Sequence, residues 1–286
     1  MADRIVDTHV HIWNFDQAEY PWLKGDTSIL HRNYELEELE AERRRVGITA
    51  GVLVQAANNE EDSLWMLKNA AANDWIAGVV GWLPLQDPLE VARLLEEGYG
   101  AGPWFKGVRH LIHNEEDPRW LLETSVLESL GLLAEKGLPY DVVGVLPEHI
   151  ITALKVAEKV PALRMVFDHL NQPPIAAGER FGKWGELMTA AALHENFFVK
   201  ISGLGTASGN FNGWQAADLE PYIGFALQHF GEDRCFCGGD WPVSLLAGSY
   251  GKTWEAYLSV MGNMVDSRVK EKLLYHNAVR FYKLAI

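Results

Sequence analysis

Short apolar runs alternate with longer amphipathic segments along the chain. The apolar runs predict eight β-strands, beginning at Arg4, Ala50, Ile76, Phe105, Tyr140, Arg164, Phe197 and Arg234. Between them, spaced apolar positions and capping residues predict helices at 35–46, 59–73, from 87, 118–137, 147–160, 183–195, 214–230 and from 252. A long loop is predicted at 12–33, where aromatic and turn residues show no clear period.

A repeated strand–helix order predicts parallel strands joined by crossover helices, and eight such units favour a closed barrel. We therefore expect an α/β fold with a single (β/α)8 TIM barrel domain over residues 1–286. An open doubly wound sheet is the alternative. The motifs disfavour it, because the glycines of 203–209 have the wrong spacing for a dinucleotide-binding turn, and the sequence lacks a phosphate loop and a nucleophile elbow.

The charge balance narrows the range of partners. The chain has 25 Lys and Arg residues against 39 Asp and Glu residues, a formal charge of −14, which disfavours binding to nucleic acid or to an anionic membrane. No apolar run approaches the ~20 residues of a membrane span, and the first residues lack a signal-peptide pattern. We therefore expect a cytoplasmic protein, with Cys235 and Cys237 as small buried side chains. The sequence leaves open whether it forms a homo-oligomer.

The first predicted strand ends in the segment Asp7-Thr8-His9-Val10-His11. Because side chains alternate along a strand, Asp7, His9 and His11 are predicted to lie on one side of it. Two imidazoles and a carboxylate there could hold a metal ion, a polarised carbonyl group or one another. The alternative is a polar strand end that faces solvent. Polar residues at the ends of other strands, close to these three, would favour a functional site.

Polar residues also stand at the ends of the later predicted strands, where the loops of a barrel form its active site. They are Arg109 or His110, Tyr140 or Asp141, Asp168 and His169, Lys200 and Ser202, and Asp240. Alternation predicts that only one residue of each adjacent pair faces the barrel axis. We place His169 inward and give Asp168 a supporting role, and we leave the choice between Arg109 and His110 open. Lys200 fits a structural ion pair at least as well as a Schiff-base lysine.

Taken together, several motifs resemble the amidohydrolase superfamily. The pattern combines an H-x-H after the first strand, a histidine on the sixth and an aspartate after the eighth. Further stretches resemble its sugar-lactonase branch, which includes L-fuconolactonases, L-rhamnonolactonases and 2-pyrone-4,6-dicarboxylate lactonases. These stretches are 7–13, 20–22, 54–56, 79–82, 107–110, 140–142, 167–169, 200–203, 238–243 and 276–282. The chain departs from the family at 170–173 and at Gly239, where relatives have serine, and we expect both changes to touch the rim of the site.

The resemblance implies a carboxylic-ester hydrolase of carbohydrate metabolism, which opens a sugar-acid lactone such as L-fuconolactone or L-rhamnonolactone. Asp240 is then the general base, because a carboxylate beside imidazoles can stay ionised and accept a proton from water. His9, His11 and His169 would stabilise the carbonyl oxygen as it gains charge, directly or through a metal. The remaining candidates are substrate-binding residues: Arg109, His110, Trp22, Trp82, Tyr140 and Lys200.

Three histidines and an aspartate, His9, His11, His169 and Asp240, also form a plausible zinc set. We expect one divalent ion at most, with zinc as the best candidate, and the resemblance leaves open whether activity requires it. Two other enzyme activities fit the same site, a lactone isomerase and a metal-dependent decarboxylase. A third hypothesis is a non-catalytic protein that binds a sugar or a metal on an inherited barrel.

Overall fold

A parallel β-barrel occupies the centre of the computed structural model, which describes residues 4–286. Each of the first seven strands pairs with the next one in the chain, and Val10 at the end of the first strand bridges to Trp241 after the eighth, which confirms the predicted barrel. The strands are β1 Ile5–Val10, β2 Ile48–Val54, β3 Ile76–Gly81, β4 Phe105–His110, β5 Tyr140–Val142, β6 Met165–Phe167, β7 Phe197–Ile201 and β8 Cys235–Cys237. Residues 1–3 lie outside the described residues. They belong to the N-terminal segment in which we expected no signal peptide.

Helices surround the barrel and connect its strands. They are α1 Leu36–Val46, α2 Glu60–Ala72, α3 Pro88–Glu96, α4 Thr124–Lys136, α5 Pro147–Lys159, α6 Gly182–Ala192, α7 Leu204–Ala207, α8 Ala216–Phe230, α9 Tyr250–Met264, α10 Ser267–Glu271 and α11 Asn277–Tyr282. A π-helical turn, Lys272–His276, joins the last two. The predicted helix at 118–137 begins only at Thr124, because a separate 3-10 turn forms at Trp120–Leu122. In the described part of the chain, no helix has the length and apolar character needed to cross a membrane.

The barrel closes between β1 and the segment that follows β8. Here the Asp240 N–H donates to the carbonyl of His9 at 2.8 Å, and the His11 N–H donates to the carbonyl of Trp241 at 2.7 Å. The Thr8 hydroxyl adds a hydrogen bond to the Cys237 carbonyl at 2.8 Å. We call this contact the closure seam. It brings two histidines and Asp240 together through backbone bonds.

A β-bulge in β1 changes which side chains face the barrel axis. Asp7 pairs with Gly51 and Val10 with Leu53, so β1 advances by three residues over a stretch in which β2 advances by two. Asp7 therefore points outward, where it accepts a hydrogen bond from the Tyr250 hydroxyl of α9 at 2.7 Å. The prediction that Asp7 shares a side with His9 and His11 was wrong, because it assumed an unbroken alternation.

Two apolar clusters hold the structure together. The larger one lies between the strands and the surrounding helices and includes both buried, free cysteines. The smaller one fills the barrel around Val52, Val166 and Phe236, where the C-terminal segment adds Phe281 and Tyr282. The chain end thus closes the barrel opposite the predicted site, which lies at the carboxyl ends of the strands.

The closure seam depends on the absence of a side chain at Gly238. A Cβ atom there would lie 2.5 Å from the Cβ atom of His9 and 3.0 Å from its backbone nitrogen. We expect Gly238→Ala to lower the free energy of unfolding in urea by about 1–3 kcal/mol, because the strands must separate. Gly131→Ala in α4 is the control, since nothing lies within 4 Å of its added methyl group. Equal stabilities of the two variants would contradict this account of the seam.

Candidate active site

A cavity of about 330 Å³ opens at the carboxyl ends of the strands. Polar side chains form one part of its wall and apolar side chains the rest. Its lining consists of His11, Trp22, Ala56, Arg109, Leu111, His113, Val143, Val145, His169, Gln172, Thr206, Phe211, Asp240, Val243 and Leu246. The lining combines ionisable groups on the buried strand ends with an apolar mouth, a combination typical of small-molecule sites.

Three imidazoles surround the Asp240 carboxylate. Its Oδ1 atom lies 3.5 Å from Nε2 of His11, 3.8 Å from Nε2 of His9 and 3.9 Å from Nε2 of His169. Asp240 has a φ of 56°, which turns the chain sharply after β8 and aims this carboxylate at the strand-end histidines. The four residues that we predicted to act together therefore lie together.

A hydrogen bond defines which nitrogen of His11 carries the proton, and Ser202 can orient His169 as a donor. Nδ1 of His11 lies 2.7 Å from the Val54 carbonyl, which can only accept, so Nδ1 carries the proton and Nε2 keeps its lone pair. The Ser202 hydroxyl accepts from the His169 backbone N–H at 3.2 Å and lies 2.9 Å from Nδ1 of that ring. When Ser202 donates to Nδ1, the proton of His169 is on Nε2. The site thus holds one acceptor and one donor.

Asp168 points toward the barrel axis but does not line the cavity, and it holds Arg109 and His9 from behind in the supporting role predicted for it. Its carboxylate pairs with Nη1 of Arg109 at 3.0 Å and with Nζ of Lys200 at 2.9 Å, and it lies 3.5 Å from Nδ1 of His9. Alternation had predicted that Asp168 and His169 could not both face inward. That prediction was wrong because β6 ends at Phe167 and the next four residues no longer alternate. His169 to Gln172 all have positive φ values, from 50° to 56°.

Arg109 faces the cavity and His110 does not, which settles the choice left open by the sequence. The His110 ring stacks on Trp120 at 4.0 Å between centroids, and its Nε2 lies 2.7 Å from the Glu115 carboxylate. Within the described residues, Nε of Arg109 is buried and has no hydrogen-bond partner. Arg109 lines the cavity, and its guanidinium is suited to an oxygen atom of a ligand.

Four of the six predicted substrate-binding side chains are absent from the cavity wall, which corrects their assignment. Trp82 lies beside His110 and donates its indole N–H to Nδ1 of that ring at 3.0 Å. Tyr140 is fully buried in the outer core, because β5 turns Asp141 inward. Lys200 is fully buried beneath the cavity floor, next to Asp141. His110 faces away, as described above.

Trp22 reaches the cavity on the long loop after β1. Its indole N–H donates to the Ala56 carbonyl at 2.7 Å. The loop is anchored by Asp62 of α2, which accepts from the Tyr20 hydroxyl at 2.9 Å and from the Ala56 N–H at 2.8 Å. A buried carboxylate thus fixes the aromatic wall relative to the strand ends.

Burial sets the protonation of the site. It lowers the pKa of His11 to about 3, and the nearby Arg109 charge adds to this effect. Burial likewise lowers the pKa of His9 and His169, so all three imidazoles are neutral at neutral pH. It raises the pKa of Asp240, against the opposing effect of His169 and Arg109. Each neutral imidazole can donate one hydrogen bond and accept another, and it adds no positive charge to the site.

His9, His11 and Asp240 could hold one divalent ion. Their ligand atoms all lie within 4.8 Å of one another, and Nε2 of His9 is 3.1 Å from Nε2 of His11. Ligands of a tetrahedral site with bonds of about 2.1 Å lie roughly 3.4 Å apart, so the donor set fits. His169 is outside this group, which corrects the predicted set of four. The Val54 carbonyl orients His11 as outer partners of metal ligands do.

The two departures from the family pattern lie in different places. Gln172, within 170–173, lines the cavity as expected. Gly239 does not touch the rim, because a Cβ atom there would lie 2.4 Å from the Tyr250 ring and 2.6 Å from Oδ2 of Asp7 on the helix side. The glycine accommodates the packing of α9 against the closure seam.

Several residues of the wall were missed in the sequence. His113, Thr206 and Phe211 lie in the segments that follow β4 and β7, and that position was the available signal. None of them belongs to a motif of recognisable spacing. Loop residues of this kind can be placed only when the path of the loop is known.

Comparisons with known proteins agree with this geometry. The amidohydrolase family model matches residues 6–284. An L-fucono-1,5-lactonase from Burkholderia ambifaria is 30% identical over 98% of this chain and 95% of that protein. An L-fucono-1,5-lactonase from Burkholderia multivorans is 29% identical over 86% of this chain and 84% of that protein. A crystal structure of a zinc-bound amidohydrolase from Burkholderia multivorans has a TM-score of 0.90 and 27% identity, covering 98% of this chain and 99% of that one.

The anchor of the Trp22 loop should give a measurable pH dependence of stability. Burial raises the pKa of Asp62 from 3.8 to about 6. The folded state therefore binds the proton more tightly, and the free energy of unfolding falls as the pH rises from about 4 to about 6. We expect Asp62→Asn to remove about 1–3 kcal/mol of that fall, measured by urea unfolding at both ends of the range. Glu61→Gln, on the exposed face of α2, is the control. An unchanged pH profile in Asp62→Asn would contradict this assignment.

Proposed function

Because this chain belongs to the amidohydrolase family, we propose that it is a lactonase, a carboxylic-ester hydrolase that opens a sugar-acid lactone by attack of water on the carbonyl carbon. The observation that carries the proposal is the Asp240 carboxylate among three neutral imidazoles in a cavity wall that also holds Arg109. L-Fuconolactone and L-rhamnonolactone are the substrates we propose to examine first, since the similar Burkholderia proteins are L-fucono-1,5-lactonases.

Asp240 acts as the general base. Its Oδ1 lies within 3.9 Å of Nε2 of all three histidines, so it can accept a hydrogen bond from a water molecule placed beside them. The water oxygen forms the new bond to the carbonyl carbon as its proton passes to Asp240. Burial favours the protonated form that results, which lets Asp240 give the proton to the departing ring oxygen.

Hydrogen-bond donors on the other side of the site stabilise the negative charge that develops on the carbonyl oxygen. His169 offers Nε2–H, and the guanidinium of Arg109 lies in the same cavity wall. Two of the guanidinium nitrogens are held, Nη1 by Asp168 and Nη2 by the Gln55 carbonyl. Donors that are already oriented need no rearrangement during the reaction, and they act more strongly in a buried site than in water.

Trp22 forms the wall against which the ring of the lactone packs. Its indole is 36% exposed and its polar edge is already bonded to the Ala56 carbonyl, so the free part is the apolar face. Aromatic faces of this kind cover the C–H faces of small polar rings.

A zinc ion is proposed as an optional occupant held by His9, His11 and Asp240. When bound, such an ion polarises a carbonyl group as a Lewis acid. Without the ion, Asp240 supplies a base, and His169 and Arg109 supply two donors. Two cationic groups also lie close to His9, since Nζ of Lys200 and Nη1 of Arg109 are each 3.2 Å from one of its ring nitrogens. We therefore propose that hydrolysis does not require the ion.

The proposed activity is tested with a panel of aldonolactones and a pH indicator. We expect acid release from at least one 1,5- or 1,4-lactone, and a fall of about 10²–10⁴-fold in kcat in Asp240→Asn, because the amide cannot accept the proton. Asp117→Asn, an exposed carboxylate outside the cavity, is the matched control. No acid release from any lactone would overturn the proposal, and NMR of the product would show whether another lactone or a decarboxylated compound forms instead.

The role of the metal is tested separately. We expect protein treated with a chelator and freed of metal to keep most of its lactonase activity, because Asp240, His169 and Arg109 remain in place. Metal content is measured by mass spectrometry on the same sample. Loss of activity on chelation and its recovery on addition of zinc would show that the ion is required.

A further inference from the structure

Lys200 of β7 is a fully buried lysine that the proposed mechanism does not use. Its Nζ atom lies 2.6 Å from Oδ2 of Asp141, 2.9 Å from Oδ1 of Asp168 and 3.2 Å from Nδ1 of His9. A lysine is rarely fully buried unless it is paired, and the two carboxylates supply that pairing. The third contact, to a histidine of the site, is not needed for charge balance.

The contact with His9 matters because a neutral imidazole has one nitrogen that donates and one that accepts. An ammonium group can only donate, so the Lys200 bond requires the lone pair of His9 to be on Nδ1. The proton is then on Nε2, where the lone pair of His11 Nε2 accepts it at 3.1 Å. These two contacts agree with each other, although Nη1 of Arg109, 3.2 Å from Nε2 of His9, gains no acceptor there in this tautomer.

The opposite tautomer has weaker support. With the proton on Nδ1, His9 would donate to Asp168 across 3.5 Å, and its Nε2 would accept from Nη1 of Arg109 at 3.2 Å. Nε2 of His9 and Nε2 of His11 would then face each other as two lone pairs at 3.1 Å. A metal ion between them would remove that repulsion, so this tautomer is the one suited to metal binding.

We propose that Lys200 is a positioning residue that keeps the proton of His9 on Nε2, and thereby holds His9 as a hydrogen-bond donor and weakens it as a metal ligand. Lys200 is itself held in place from below. The Tyr282 hydroxyl donates to the Asp141 carboxylate and lies 2.9 and 2.8 Å from its two oxygens, so the C-terminal helix α11 supports the carboxylate that fixes the lysine. The inference rests on the proposed function, because His9 lies beside the Asp240 carboxylate that acts as the base.

The test combines two measurements, neither of which uses a lactone. ¹⁵N NMR of protein labelled at histidine distinguishes protonated from unprotonated ring nitrogens, and a His9→Gln sample assigns the His9 signals. Isothermal titration calorimetry of metal-free protein with zinc gives the affinity. The wild type is compared with the double variant Asp141→Asn/Lys200→Met, which removes one positive and one negative charge and so keeps the local net charge.

We expect the wild type to carry its His9 proton on Nε2 and the double variant to carry it on Nδ1. Zinc should bind the double variant about tenfold more tightly or better, a size typical of changes to the outer partners of a ligand. Asp141→Asn alone keeps the Lys200 bond, and we expect its tautomer to match the wild type. Circular dichroism verifies that each variant is folded.

A wild-type spectrum with the proton of His9 on Nδ1 would overturn the inference, whether or not any variant folds. Zinc binding to the folded double variant that is no tighter than to the wild type would overturn it as well. Failure of the lactone panel with a protonated Nε2 in the wild type would instead count against the proposed function alone.

Discussion

The closure seam is the constraint on which the rest of the structure depends. Its two backbone hydrogen bonds, from Asp240 to His9 and from His11 to Trp241, are also the bonds that place candidate catalytic side chains opposite one another. Gly238 allows the close approach, and Gly239 leaves room for Tyr250 of the outer helix. Closing the barrel and assembling the site are therefore one structural event, and a change that opens the seam disturbs both.

Buried charges keep the assembled site in one arrangement. Asp168 is ionised because Lys200 and Arg109 together outweigh the cost of its burial, which holds its pKa well below the usual range. Arg109 and Lys200 are thereby fixed on either side of it. Networks of this kind cost free energy to bury, and what they supply is orientation. The apolar mouth around Leu111, Val143 and Leu246 keeps the local dielectric low, which strengthens the same interactions.

The fold could be predicted from the sequence because each strand is a short apolar run between helix caps, and eight such units have few alternative arrangements. The candidate site was predictable where a polar residue lies just beyond the end of a strand, as with His11 and Asp240. Prediction failed where side chains stop alternating between the two faces of a strand. The bulge in β1 turned Asp7 outward, and the left-handed turn after Phe167 turned both Asp168 and His169 inward. The direction in which the side chains of Trp82, Tyr140 and Lys200 point could not be predicted, because residue type does not determine it.

The central claim is that water, activated by Asp240, attacks the carbonyl carbon of a lactone. Its most direct test is a single turnover in ¹⁸O-labelled water, with the product analysed by mass spectrometry. The account predicts one ¹⁸O atom, located in the carboxylate group of the ring-opened acid. An unlabelled product lactone, or label at the carbon that bore the ring oxygen, would contradict it.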